Sequence, residues 1–170
     1  MRAAVLILAL GISACNSRPP TAPTPPPASL PLPSYAGTWS GTYRVTSCTG
    51  HYDFRLCGRL TTNILDGSPA HHPFTLVLSQ VLDQVSGTLD HRNRTIPVSG
   101  VVRESGALVL EAVVPQPDLD PLRITNWSTM MSPSGAQLNG AFTQLEPGRI
   151  ASINYTVRTE NEFVNASRAH

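Results

Sequence analysis

The chain has 170 residues, a formal net charge of +1 and only 14% charged residues. All 12 of its basic residues are arginine, which excludes any reaction that needs a lysine, such as Schiff-base formation. A near-neutral chain also lacks the strongly basic balance of nucleic-acid-binding domains, and we expect no nucleic-acid partner.

The first residues have the composition of an export signal. Met1 and Arg2 precede an apolar stretch over residues 3–12, and two small residues, Ser13 and Ala14, follow it. A basic start, about ten apolar residues and a small-residue cleavage site are typical of a secretory signal peptide. The apolar stretch is shorter than the roughly 20 residues that a membrane-spanning helix needs.

The end of this signal, Ile12-Ser13-Ala14-Cys15, resembles the lipobox of bacterial lipoproteins. The resemblance implies that residues 1–14 are removed and that Cys15 is lipidated and becomes the mature N-terminus. It also implies a protein of the bacterial cell envelope, outside the cytoplasm, with the membrane as its partner through the lipid. Asn16 stands where an aspartate would favour the inner membrane in Gram-negative lipoproteins, so the outer membrane is favoured.

A proline-rich linker follows the lipidated cysteine over residues 15–34. Half of the 16 prolines lie between Asn16 and Ser34. Because proline fixes φ and has no amide donor, we expect a disordered, extended spacer of polyproline II type without helix or sheet. Such a spacer reaches up to roughly 60 Å. A proline-rich ligand for a partner domain is the alternative interpretation.

The three cysteines, Cys15, Cys48 and Cys57, are an odd number for an exported chain. Lipidation of Cys15 leaves Cys48 and Cys57 as a pair in an oxidising compartment, and we expect a disulfide between them. Two buried free thiols are the alternative. A metal site is disfavoured because the pair lacks the usual Cys-x2-Cys spacing.

The folded domain is expected over residues 35–160, with a C-terminal tail over 161–170. Short apolar runs of period two, separated by turn residues, are typical of β-strands. Short connections favour antiparallel neighbours, and closure removes exposed edges. We therefore expect an all-β fold, an eight-stranded antiparallel up-and-down β-barrel. The predicted strands cover residues 37–46, 73–82, 85–90, 95–103, 107–114, 122–131, 136–145 and 150–159.

Three further structural features are expected in the connections and at the strand glycines. A loop containing Pro115, Pro117 and Pro121 follows the fifth strand, and Glu146-Pro147-Gly148 turns the seventh strand into the eighth. The long segment 47–72 lies across one mouth of the barrel as a lid or a plug, with a short strand or helical turn over 59–65. Glycines at 87, 100 and 140 share the pattern apolar, small polar, Gly, x, apolar. They indicate bends that let the sheet curl, or else isolated bulges.

The first predicted strand opens with Gly37-Thr38-Trp39, which looks like the Gly-x-Trp opening of the lipocalin and avidin-like barrels, together called calycins. In lipocalins this tryptophan sits at the closed end of the barrel, and an arginine from the last strand packs across it. The resemblance therefore implies a lipocalin-like barrel closed by a cation–π contact between Trp39 and Arg158. It supports the shape of the barrel and transfers no ligand.

The functional expectations follow from what the strands carry. The sequence has no Gly-x-Ser-x-Gly, no His-x3-His and no evident carboxylate pair, so we expect no enzyme, no cofactor and no metal site. A barrel of eight strands either fills with side chains or holds one small ligand. The first hypothesis is a barrel that binds a small, largely apolar ligand, with weak candidate contacts at Tyr155, Asn126, Phe142 and Gln144. The alternative is a non-catalytic structural or protein-interaction module with a filled core and an unknown protein partner.

Overall fold

The computed structural model describes residues 31–50 and 54–169. Eight antiparallel strands close a barrel in sequence order, with β1 paired to both β2 and β8. The predicted fold class is confirmed. The elements are β1 (Gly37–Gly50), α1 (Phe54–Thr61), β2 (His71–Val81), β3 (Gln84–His91), β4 (Arg94–Val102), β5 (Leu108–Gln116), β6 (Leu119–Met131), β7 (Leu138–Ile150) and β8 (Ile153–Arg168).

The expectations for the signal peptide, for Cys15 and for the linker up to residue 30 lie outside the described residues. Within the described ranges, no helix has the length and hydrophobicity of a transmembrane span.

Alternating side chains place the core inside the barrel. In β2, Phe74, Leu76 and Leu78 are buried, whereas Pro73, just before them, and Val77, between Leu76 and Leu78, face outward and are exposed. This period of two arises because successive side chains of a strand point to opposite faces of the sheet. The same alternation in the other strands produces one continuous core.

The three repeated glycines lie where neighbouring strands approach closely. A side chain at Gly87, Gly100 or Gly140 would collide with the backbone carbonyl of Val77, Val109 or Ser128, respectively. The pairing passes through all three glycines without a shift in register. The structure therefore supports curvature rather than isolated bulges, since a glycine lets the adjacent backbone cross at short range as the sheet curls.

Two of the predicted connections are wrong. Pro147 and Gly148 lie within β7, which turns instead at Ala151 and Ser152. Pro121 lies within β6, because the β5–β6 turn is confined to residues 117–118. Both prolines are tolerated because the β6–β7 ladder runs only from the pair Arg123–Leu145 to the pair Met131–Leu138. Pro121 and Pro147 lie beyond it, so each proline has a neighbouring strand on one side alone.

The predicted end of the barrel is also wrong. β8 continues to Arg168: the expected tail over residues 161–168 pairs with β1, and its first two residues, Asn161 and Glu162, also pair with β7. Asn161, Phe163 and Ala166 continue the inward face of the strand. The polar residues between them conceal this pattern in the sequence.

The long excursion between β1 and β2 contains α1, which supports the helical turn rather than the short strand expected over residues 59–65, although the helix begins at Phe54 and ends at Thr61. The predicted disulfide is confirmed: Cys48 in β1 and Cys57 in α1 are bonded, with their Cα atoms 5.5 Å apart. Leu60 of α1 is buried in the barrel core, and its carbonyl oxygen lies 2.8 Å from Nε2 of His72 in β2. The excursion thus closes part of the core as a plug does.

Candidate functional site

One end of the barrel is closed around Trp39. The indole Nε1 donates a hydrogen bond to the Tyr35 carbonyl at 2.9 Å. The guanidinium carbon of Arg168 lies 4.6 Å from the centroid of the indole ring, and Nη2 of Arg168 donates to the Ser34 carbonyl at 2.6 Å. A cation stacked on a buried indole joins the first strand to the last, which is what closure requires.

The arginine in this contact is not the predicted one. Arg158 pairs with Thr49 near the far end of β1, and its half-exposed side chain forms an ion pair with Glu160 at 3.1 Å. Arg168 takes its place over Trp39 because β8 is longer than expected, and the register sets Arg168 directly opposite Trp39. The arginine was therefore expected on the correct strand but at the wrong residue.

Tyr35 seals the same end from the N-terminal side. Its hydroxyl donates to the Gly106 carbonyl at 2.7 Å and accepts from the Met131 amide at 3.1 Å. Burial raises the pKa of this phenol above its ordinary value. The segment before β1 thus lies across the closed end and contacts the β4–β5 and β6–β7 connections.

An aromatic cluster fills the middle of the barrel. Trp127 stacks on Phe142 with ring centroids 5.0 Å apart, and Phe74 lies 4.9 Å from Phe163. Tyr43 completes the cluster 5.4 Å from Phe142. Phe142, one of the predicted ligand contacts, is buried by its neighbours within this cluster.

Trp127 was not among the expected interior residues, and the reason is a bulge in β6. The register shifts between Thr125 and Ser128, and Asn126 adopts a left-handed backbone with φ of 51°. The bulge reverses the alternation, so Trp127 and Thr129 are buried whereas Asn126 and Ser128 are exposed. The expectation that Asn126 lines the interior is therefore wrong. The signal that could have found Trp127 is its size, because large aromatic side chains are seldom left in solvent.

A polar cluster lies towards the opposite, open end of the barrel. The Glu146 carboxylate accepts from Arg92 at 3.0 Å and from Arg94 at 3.2 Å. The amide of Gln144, a predicted ligand contact that is buried, donates to the same carboxylate at 3.3 Å. The charges and the amide of this cluster are therefore paired with one another, as buried polar groups require.

Tyr155, the fourth predicted contact, is half-buried at the rim of this open end. Its ring occupies the space that a side chain on Gly148 would need. Glycine at that position in β7 lets the tyrosine lie flat across the β7–β8 hairpin.

His91 is the buried ionisable group of the open end, with 4% of its surface exposed. Its Nδ1 lies 2.9 Å from the Tyr43 hydroxyl, and its Nε2 has no partner among the described residues. Burial, together with the positive charges of Arg92 and Arg94, lowers the pKa of His91 to about 4. Burial raises the pKa of the Tyr43 phenol above its ordinary value. Both groups are therefore neutral near pH 7 and form a structural hydrogen bond.

Within residues 31–50 and 54–169, no three histidine, cysteine or acidic side chains come together as metal ligands. A surface cavity of about 830 Å³ lies in the α1–β2 loop rather than in the barrel interior, and Ile64 and Leu65 are among its lining residues.

No protein-family model matches this chain, and no curated protein matches it.

Proposed function

We propose that this chain is a lipid-anchored protein of the bacterial cell envelope whose filled barrel serves as a non-catalytic structural or protein-interaction module. The observation that carries the proposal is the packing of the barrel interior. Five aromatic side chains, from Tyr43, Phe74, Trp127, Phe142 and Phe163, occupy its middle, and Trp39 occupies its closed end.

The interior argues for a module more than for a ligand-binding barrel. An eight-stranded barrel has just enough space for its own side chains or for one small ligand. Here the centroids of neighbouring aromatic rings lie 4.9 to 6.4 Å apart. At the open end, Glu146 is paired with two arginines, so its charge needs no ligand.

Two features support a location outside the cytoplasm. Ile12-Ser13-Ala14-Cys15 has the lipobox pattern, with Cys15 as the residue to be lipidated. The Cys48–Cys57 disulfide fits an oxidising compartment, because cytosolic thiols are kept reduced.

The α1–β2 loop is the surface that best fits a protein partner. Ile64 is 75% exposed and Leu65 is 94% exposed. Adjacent exposed apolar side chains beside a cavity are typical of an interaction surface rather than of solvent-facing loops.

Mass spectrometry of the full chain purified from its own host tests the anchor and the interior together. We expect an N-terminal peptide that begins at Cys15 and carries acyl chains, and no such mass in a Cys15→Ser variant. Native spectra are expected to show the barrel without a bound small molecule. A stoichiometric small molecule that is retained in repeated preparations would favour the ligand-binding hypothesis instead.

A pair of loop variants tests the interaction surface. Leu65→Ser is expected to reduce crosslinking to an envelope protein at least fivefold, whereas Val113→Ser, which alters an exposed apolar residue on the outer face of β5, is expected to leave it unchanged. Equal crosslinking of both variants and of the parent chain would contradict the assignment of the α1–β2 loop.

A further inference from the structure

We infer that the closed end of the barrel carries a lipid-contacting tip, formed by Leu32, Val81 and Leu82, which docks on the bilayer that holds the anchor. The inference rests on the lipid anchoring proposed above, and it adds which end of the barrel faces the membrane.

The tip is unusually apolar for a turn between two strands. Val81 is 73% exposed and Leu82 is 85% exposed at the β2–β3 connection. Leu32 and Leu82 line one surface groove of about 530 Å³, together with Val102. Val81 is the last residue of β2, and Leu82 and Asp83 form the turn. Turns of this kind normally carry glycine, asparagine or aspartate, as at Asp83, so an exposed leucine at position 82 needs a reason.

The backbone at Leu82 strengthens this point. Leu82 has φ of 58°, in the left-handed region that glycine and asparagine adopt more readily than leucine does. Neither local conformational preference nor burial in the core therefore explains a leucine here. Contact with an apolar environment outside the protein does explain it, because the exposed side chain would then leave water.

Gln80 fixes the tip against the segment that enters the barrel. Its Oε1 accepts from the Tyr35 amide at 2.7 Å, and its Nε2 donates to the carbonyl oxygens of Leu82 at 2.8 Å and Pro33 at 3.2 Å. One side chain thus holds the β2–β3 turn and the residues next to Leu32 together. The tip is a built surface with a defined geometry.

The path of the chain indicates that the tip contacts the bilayer rather than another partner. Residues 16–30 alone separate Cys15 from Pro31, and the chain enters the barrel at its closed end, beside the tip. A short tether raises the effective concentration of the tip at the membrane, so a weak contact suffices. An acyl anchor and a second weak membrane contact reinforce each other.

The charges around the tip define which lipid surface it fits. Asp83 and Glu104 line the same groove, and both are exposed. Carboxylates are repelled by the negative surface potential of anionic lipids. Arg103, exposed beside Glu104, offsets only one of the two carboxylates, so the tip fits a zwitterionic interface better than an anionic one.

A tryptophan placed in the tip tests the inference in the full lipidated chain. Trp39 and Trp127 are both buried, so the parent protein gives a background that can be subtracted. The probe is Leu82→Trp in phosphatidylcholine vesicles that contain brominated lipid. The matched control is Leu65→Trp, which is 94% exposed in the α1–β2 loop at the other end of the barrel.

We expect the Leu82→Trp emission to shift to shorter wavelength and to be quenched at least twofold more strongly than the Leu65→Trp emission. If both variants float with the vesicles and are quenched equally, the membrane contact of the tip is refuted, whereas the lipid anchor is supported. The same result is expected if the tip binds a protein instead of lipid. If the parent chain does not float with the vesicles, both the lipid anchor and the membrane contact of the tip are refuted. If Leu82→Trp does not fold, as judged by circular dichroism, Val81→Trp takes its place with the same expected result.

Discussion

At the scale of single residues, Arg168 and Trp39 show how the barrel is closed. The contact brings a cation onto an indole that is fully buried, and it ties β8 to β1 at the point where the chain enters the fold. The same guanidinium also binds the Ser34 carbonyl. One side chain therefore secures both the ring of strands and the segment that precedes it.

Replacing this arginine is expected to destabilise the barrel. Arg168→Met keeps much of the side-chain length but removes the cation–π contact, which is worth about 0.5–2 kcal/mol. Arg158→Met is the matched control, because an exposed ion pair contributes roughly 0–1 kcal/mol. Urea unfolding measures both variants. A larger loss in Arg158→Met than in Arg168→Met would contradict the role assigned to Arg168.

His91 predicts how stability depends on pH. Its folded-state pKa of about 4 is below its ordinary value of 6.5, so the unfolded chain binds a proton in this interval that the folded chain does not bind. The contribution of His91 to the unfolding free energy is therefore fully present above pH 6.5 and is lost as the pH falls towards 4. The loss amounts to roughly 3 kcal/mol.

The measurement is the unfolding free energy of the parent and of His91→Gln at pH 7 and at pH 4.5. Carboxylates titrate in both proteins, so the difference between the two curves isolates the histidine. We expect the parent to lose roughly 2–3 kcal/mol more than the variant between these pH values. Parallel curves would show that His91 accepts a proton freely in the folded barrel.

How far the sequence predicts single residues depends on whether the alternation is regular. Gln144 and Phe142 face inward as the period of two requires. Asn126 does not, because a bulge at that residue reverses the phase of β6 and brings Trp127 inside instead. A bulge depends on the fit between two strands, and that fit cannot be read from one strand alone.

At the scale of elements, the glycines of the curled strands explain how the sheet closes. Gly87 faces inward at a point where the Val77 carbonyl passes directly over it. A side chain there would push β2 and β3 apart. Glycine is thus required by the approach of the neighbouring strand, although it weakens a strand by its own preference.

Two glycine-to-alanine substitutions are expected to change the unfolding free energy in opposite directions. Gly87→Ala forces a methyl group against backbone and should lower the unfolding free energy by about 1–3 kcal/mol. Gly58→Ala lies in α1, where nothing stands within 4 Å of the added carbon, and should raise it by roughly 0.5–1 kcal/mol. Thermal or urea unfolding distinguishes the two. A neutral Gly87→Ala would show that the strands can separate without cost.

The element boundaries show which information the sequence carries. The number of strands and their order follow from apolar alternation and from short turns, and these predictions are confirmed. The lengths of β7 and β8 do not follow, because Pro147 and Gly148 have the composition of a turn and residues 161–168 are largely polar. Pro147 instead pairs with Thr156 in a hairpin that turns at Ala151 and Ser152, and residues 161–168 pair with β1, which is distant in the sequence.

At the scale of the whole molecule, the last eight residues of β8 complete the ring. They pair with β1 from Trp39 to Val45, Asn161 and Glu162 also pair with β7, and Asn161, Phe163 and Ala166 are buried. Without these eight residues, β1 would lose its β8 partner from Trp39 to Val45 and would present an open edge there. Edges of this kind are prone to pair with other chains.

Truncation tests whether closure is needed for folding. A chain that ends after Glu160 is expected to lose cooperative unfolding and to aggregate. The control ends after Arg168, and among the described contacts it loses the hydrogen bond from the Ala169 amide to the Thr38 carbonyl. Circular dichroism and size-exclusion chromatography measure both. A monomeric, cooperatively folded chain that ends after Glu160 would show that residues 161–168 are dispensable.

Because Arg168 reaches the Ser34 carbonyl, the beginning and the end of the folded chain meet at one rim. A ring of paired strands has no intrinsic starting point. A circular permutant that joins residue 169 to residue 35 and opens at Ala151–Ser152 would keep every strand pairing and exchange only one turn for another. Its new termini would leave from the opposite rim, so a reporter fused there would stand away from the surface to which the native N-terminal segment leads.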